Sequence, residues 1–145
     1  MAKRGGKSYI QLNLEGFDEL LHKIEEAGGS INKSCETCIK RSADIQQQEL
    51  QAQMRKARVP SDLIARMPPP SIEVDGNRFT ARVGYKKGDY TPDNLSDGYK
   101  VVFLNYGTPR VKPRGFIKKA KNVAKKPIKK MQEDTLKKIL GDLKK

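Results

Sequence analysis

Cys35 and Cys38, two thiols three residues apart, are the closest this chain comes to a reactive or metal-holding centre. A structural zinc site needs four ligands, and the one available nitrogen ligand is His22, the single histidine. The two thiols also fall on the series Ile31, Cys35, Cys38, Ser42, Ile45 and Ala52, interrupted at Glu49, which is one helix face at three- and four-residue spacing. They read as small core residues, in keeping with how often unpaired cysteine is buried. A thioredoxin-like centre would also need a βαβ setting that the flanking sequence lacks.

His22 lies between Leu21 and Lys23 with no nucleophile or second base near it in sequence, so it reads as an exposed helix residue. Asp89, Asp93 and Asp97 recur every fourth residue. A calcium loop needs ligands two apart and a closing glutamate, so these carboxylates read as turn-formers. No phosphate-binding Gly-x-x-x-x-Gly-Lys-Ser/Thr and no His-Glu-x-x-His occurs. The expectation is a protein that is not an enzyme and uses no metal or cofactor.

The remaining chemistry is charge. The chain carries +13 over 145 residues, and the excess is uneven: from Lys112 onward thirteen Lys and Arg face three acidic residues, against seventeen and fourteen before it. Lys118, Lys119, Lys121, Lys125, Lys126, Lys129, Lys130, Lys137 and Lys138 could neutralise phosphates of DNA. They could equally form a solvated face or meet acidic surfaces of ring-forming partners, and this reading is preferred. No aromatic residue follows Phe116, which removes the stacking groups of a single-strand binder.

The elements that must carry these residues follow from periodicity. Ile10, Leu12 and Leu14 alternate with Gln11 and Asn13 as in a half-buried strand. Phe17, Leu20, Leu21 and Ile24 share the face of a short helix that Gly28-Gly29 ends. Ser30 caps a long helix from Ile31 to about Arg58, stopped by Val59-Pro60, with Gln46-Gln47-Gln48 turned to solvent or to a subunit. Ser61 to Met67 adds a helical turn before Pro68-Pro69-Pro70. Ile72 and Val74, a turn at Asp75-Gly76 or Gly76-Asn77, then Phe79, Ala81 and Val83 give a hairpin. Residues 84 to 98 read as a surface loop holding Tyr85 and Tyr90. Lys100 to Tyr106 reads as a strand covered on both sides, since Val101 to Leu104 are all apolar. From Phe116 an amphipathic helix runs to the C-terminus, with Pro127 as a kink or break.

Between the last two elements, Asn105-Tyr106-Gly107-Thr108 is followed by Pro113-Arg114-Gly115-Phe116-Ile117 and then Ala120. This pattern resembles a tailed-bacteriophage neck and tail-completion family, named after the tenth gene product of a lambdoid coliphage. In that family an aromatic-rich strand ends in Glu-Tyr/Phe-Gly-Thr, and a Pro-Phe-hydrophobic-x-Pro-Ala-like segment opens the last helix. Here Asn105 stands where the family commonly has Glu, and Lys119 where it commonly has Pro. A role that needs that negative charge is therefore not carried over.

The resemblance implies a structural virion protein of the head-tail junction, which completes the tail or joins it to the filled head through oligomeric contacts. The implied partners are other phage neck and tail proteins and further copies of the chain, with contact to packaged DNA as an option and no membrane. The implied location is the virion, and the host cytoplasm during assembly. The assembly surface would be Asn105, Tyr106, Gly107, Thr108, Arg110, Lys112, Pro113, Arg114 and Phe116, although for the three basic residues a solvated loop is the default. A small DNA-binding protein that is not sequence-specific and uses the lysine helix is the alternative.

The expected fold is α+β: one domain over residues 1–145 with flexible residues 1–7. A small antiparallel sheet, formed by the hairpin and the strands near 10–14 and 100–106, is packed by a long central helix and a basic C-terminal helix.

Overall fold

A computed structural model describes residues 7–75, 78–85, 90–91 and 94–145. Its elements run β1 (Tyr9–Asn13), α1 (Asp18–Glu26), α2 (Ile31–Lys56), α3 (Ser61–Ala65), β2 (Ser71–Asp75), β3 (Arg78–Gly84), β4 (Tyr90–Thr91), β5 (Asn94–Leu95), α4 (Asp97–Tyr106) and α5 (Phe116–Leu143). A small antiparallel sheet packed by the long α2 and by α5 makes this an α+β fold.

The sheet has the order β1-β3-β2, with Ile10 opposite Val83, Leu12 opposite Ala81, and Ile72 opposite Ala81 on the other side. Period-two alternation turns Ile10, Phe79, Ala81 and Val83 to one face, where they meet Cys35, Ile39, Ala43, Leu50 and Met54 of α2. Phe116, Ile117 and Ala120 join the same core from the start of α5. Further along, Ile24, Cys38 and Leu136 close a second cluster between α1, α2 and α5.

Ser30 caps α2 as its sequence suggests: its Oγ accepts from the Lys33 N–H at 3.3 Å. Of the series read from the sequence, Cys35, Cys38 and Ser42 lie on the buried face of α2, but Ile31, Ile45 and Ala52 are half-buried while Ile39, Gln46 and Gln53 lie inside. Gln46, expected at the surface, donates from Nε2 to the Ala120 carbonyl at 3.1 Å across the α2–α5 contact. Gln47 bonds the Pro68 carbonyl, and of the three glutamines only Gln48 is exposed.

The segment 100–106 is a helix and not a strand. Four consecutive apolar residues suit either element, and the local signals at its ends decide. Ser96 is extended and accepts from the Tyr99 N–H at 3.4 Å, Asp97 stands in the first turn, and Gly107 ends the helix at φ 80°. The buried residues Gly98, Val101 and Asn105 are three and four apart, as a helix face requires. The sheet therefore has three strands, all N-terminal to this segment.

The described parts of the stretch 84–98 also differ from the surface loop expected there. Tyr85 is buried, donating from Oη to the Leu63 carbonyl at 2.6 Å, and β4 pairs with β5. Asp97 is no turn-former: it takes a two-pronged bond from Arg66, at 2.9 and 3.1 Å. Asp89, Asp93, Gly76 and Asn77 of the hairpin turn, and residues 1–6 of the segment expected to be flexible lie outside the described residues. α5 continues without a break through Pro127, which is exposed, so the ring and its missing N–H fall on the solvent side.

Candidate assembly interface and lysine face

The chain between α4 and α5 is held by a set of backbone bonds that begins with the end of α4. A helix terminus leaves carbonyls without partners. Here Phe103 O accepts from the Gly107 N–H at 2.8 Å, Leu104 O from Arg114 at 3.1 Å and Asn105 O from Gly115 at 3.0 Å. The loop thus returns onto the helix it left.

Within it, Thr108 and Val111 exchange both backbone bonds, at 2.8 and 3.1 Å, and Thr108 Oγ1 accepts from the N–H groups of Arg110 and Val111. Gly107 is required where it stands. Its φ is in the left-handed region, and a Cβ there would lie 2.7 Å from both Pro113 N and Val111 O.

α5 starts at Phe116 behind Gly115, which has no side chain to act as a cap. Asn105 supplies the cap from the other helix, its Oδ1 accepting from the Ile117 N–H at 2.8 Å. Asn105 is 4% exposed and Phe116 1%, so neither presents itself to a partner; they fix the two ends of the loop. Arg114 Nη1 reaches the carbonyls of Ala57 and Arg58, each at 3.2 Å, and ties the loop to the C-terminal end of α2.

The expected site residues therefore divide in two. Asn105, Gly107, Thr108 and Arg114 build the loop. Tyr106, at 47% exposure, and Arg110, Lys112 and Pro113 face outward, and Val111, at 39% exposure, joins them although its role was not legible in the sequence. The outward set is two positive charges, Arg110 and Lys112, among Tyr106, Val111 and Pro113.

α5 carries the second surface. Among the described residues, Lys137 has a close carboxylate, Glu133 Oε1 at 2.8 Å, which raises the lysine and lowers the glutamate from their ordinary pKa values. The lysines from Lys118 to Lys130 have no ion-pair partner among the described residues. They make a field of one sign down the first half of the helix.

Beside this face lies a cleft of about 320 Å³ between β1 and α5, with Gln46 at its inner wall. Gln46 Oε1 is buried and takes no hydrogen bond from any described residue. The sequence hid this position because a polar side chain on the buried stripe of α2 carries no hydropathy signal.

The two cysteines are buried beneath these surfaces and line neither. Cys38 donates weakly to the Gln132 carbonyl at 3.8 Å, and burial, with Cys35 adding to it, pushes its thiol up to about 11. Both remain protonated thiols near neutral pH. His22 is exposed and pairs with Glu26 at 2.9 Å. Among the described residues no group of three or more His, Cys, Asp and Glu side chains is placed to hold a metal, and no helix is long and apolar enough to cross a membrane.

The chain matches no family model, no curated protein and no solved structure.

Proposed function

We propose that this chain is a structural protein of a phage head-tail junction, which completes the tail or joins it to the filled head by contacts with neck and tail proteins and with further copies of itself. The reading rests on the sequence pattern from Tyr106-Gly107-Thr108 to Ala120, and one geometric observation supports it best. The loop is exposed yet locked at both ends by Asn105, Gly107 and Arg114, so Tyr106, Arg110 and Val111 are presented with little left to order on binding. Pre-organised surfaces of this sort lose less entropy on association than mobile loops.

Its departure from the pattern is informative. The position before the aromatic residue acts through an acceptor oxygen aimed at a helix N-terminus, which an amide provides as well as a carboxylate. Asn105 thus anchors the loop without a charge.

Deleting the gene tests the proposal. Electron micrographs of the resulting lysate should hold filled heads and separate tails; normal joined, infectious particles would refute it.

The unpaired lysines of α5 favour a second reading, a duplex-binding protein that tracks phosphates without reading sequence. It requires binding to mixed-sequence duplex DNA that weakens steeply with salt, and absence of binding at low salt excludes it.

A further inference from the structure

We infer that the cleft between β1 and α5 is a docking site for an acidic, partly apolar peptide segment of a partner protein. The inference is independent of the head-tail assignment, since it concerns a different surface and can hold or fail without it.

Three features of the cleft select this occupant. Lys121, Lys125 and Lys129 line its rim at four-residue spacing, which places them in one row on the same side of α5, about 6 Å apart along the axis. None is in direct contact with a carboxylate among the described residues, although Lys129 lies near enough to Glu133 to help lower its pKa, so the rim is complementary to carboxylates spaced along an extended chain.

The wall between the lysines is not basic. Leu12 of β1 and Ile128 of α5 line it with the amides of Asn13, Asn122 and Gln132, a mixed wall that suits a short aliphatic side chain and the polar backbone of a peptide beside it. A phosphodiester also has no hydrogen-bond donor. At the inner wall Gln46 Oε1 is a buried acceptor without a partner among the described residues, and a peptide N–H is the kind of group that can satisfy it.

Glu15 stands at the same cleft and adds a carboxylate that would repel a continuous polyanion but tolerates a peptide whose acidic residues alternate with neutral ones. The volume is at the small end for ligand sites, enough for a few side chains and not for a folded element.

Fluorescence anisotropy with the full chain tests this, using a short fluorescein-labelled Glu/Leu peptide, its Gln/Leu counterpart and labelled mixed-sequence duplex DNA. The variants are the cleft triple Lys121→Ser, Lys125→Ser, Lys129→Ser and an outer triple of equal charge change, Lys119→Ser, Lys126→Ser, Lys130→Ser. The Glu/Leu peptide should bind and the Gln/Leu peptide should not. The cleft triple should weaken binding about tenfold or more and the outer triple about twofold or less. Equal losses from the two triples would mean charge attraction without a site, and would overturn the inference. So would no binding of the acidic peptide, or duplex DNA that binds more tightly and loses affinity with the cleft triple. Gln46→Leu keeps the rim intact, and an unchanged affinity for this variant would remove the inner-wall contact from the account.

Discussion

Asn105 Oδ1 accepts a hydrogen bond from the backbone N–H of Ile117 at 2.8 Å, so the last buried residue of one helix caps the first turn of the next. The bond is buried, and Gly115 at the cap position has nothing to replace it. Through it the exit from α4 and the entry to α5 become one joint, and the exposed loop between them inherits its shape.

Asn105→Ala should therefore destabilise the chain by about 1–3 kcal/mol, because a buried N–H at a helix start is left without a partner. Asn105→Asp retains the acceptor and places negative charge at a helix N-terminus, so it should cost less than Asn105→Leu. Urea midpoints of the three variants check the order.

Gly107→Ala combines a left-handed φ with a Cβ 2.7 Å from two backbone atoms. The loop must shift or the helix must end earlier, at a cost of about 1–3 kcal/mol. Amide hydrogen exchange should show lost protection at Thr108 and Val111, whose N–H groups are bonded in the wild type.

Gln46→Leu should change stability by no more than about 1 kcal/mol, since it removes a bond together with a buried unpartnered oxygen. Leu50→Ala, one turn along α2 and 1% exposed, should cost about 2–5 kcal/mol by leaving a cavity. If the two variants were equally damaging, the polar seam would be worth more to the fold than its geometry indicates.

Alkaline pH should destabilise the protein through groups that burial keeps protonated. The Cys38 thiol rises from 9.0 to about 11 and the Tyr85 hydroxyl from 10.0 to about 12, burial being the first cause of each. The unfolded chain loses these protons first, so their contribution is intact below pH 9.0 and is lost progressively as pH climbs through the folded values. Melting temperatures measured across that window should fall, and Cys38→Ala should remove part of the fall.

Much of this fold is legible in the sequence because one periodicity dominates each stretch. Ile10 and Leu12 alternate, Ser30 marks the start of α2, and the steps from Ile117 through Ala120, Ala124 and Ile128 trace the buried side of α5. Where two readings compete the sequence fails. Val101 to Leu104 fit a covered strand or a helix equally, and the deciding groups, Ser96 and Gly107, lie outside the apolar run. Of the site, the positions Gly107 and Thr108 were readable from the pattern that carries the resemblance. The part played by Asn105 was not, because its partner is a backbone N–H twelve residues away, brought close only by the folded loop. Gln46 was misplaced for the opposite reason: its burial comes from the position it holds between two helices, not from its chemistry.

The central claim is that the locked loop makes the contact that joins head to tail. Complementation of the gene deletion with Arg110→Glu/Lys112→Glu, a pair of exposed residues whose side chains make no hydrogen bond to the described residues, tests it most directly once the variant is shown to melt like the wild type. The account predicts filled heads and tails left apart despite normal amounts of stable protein. Joined, infectious particles at the wild-type yield would contradict it.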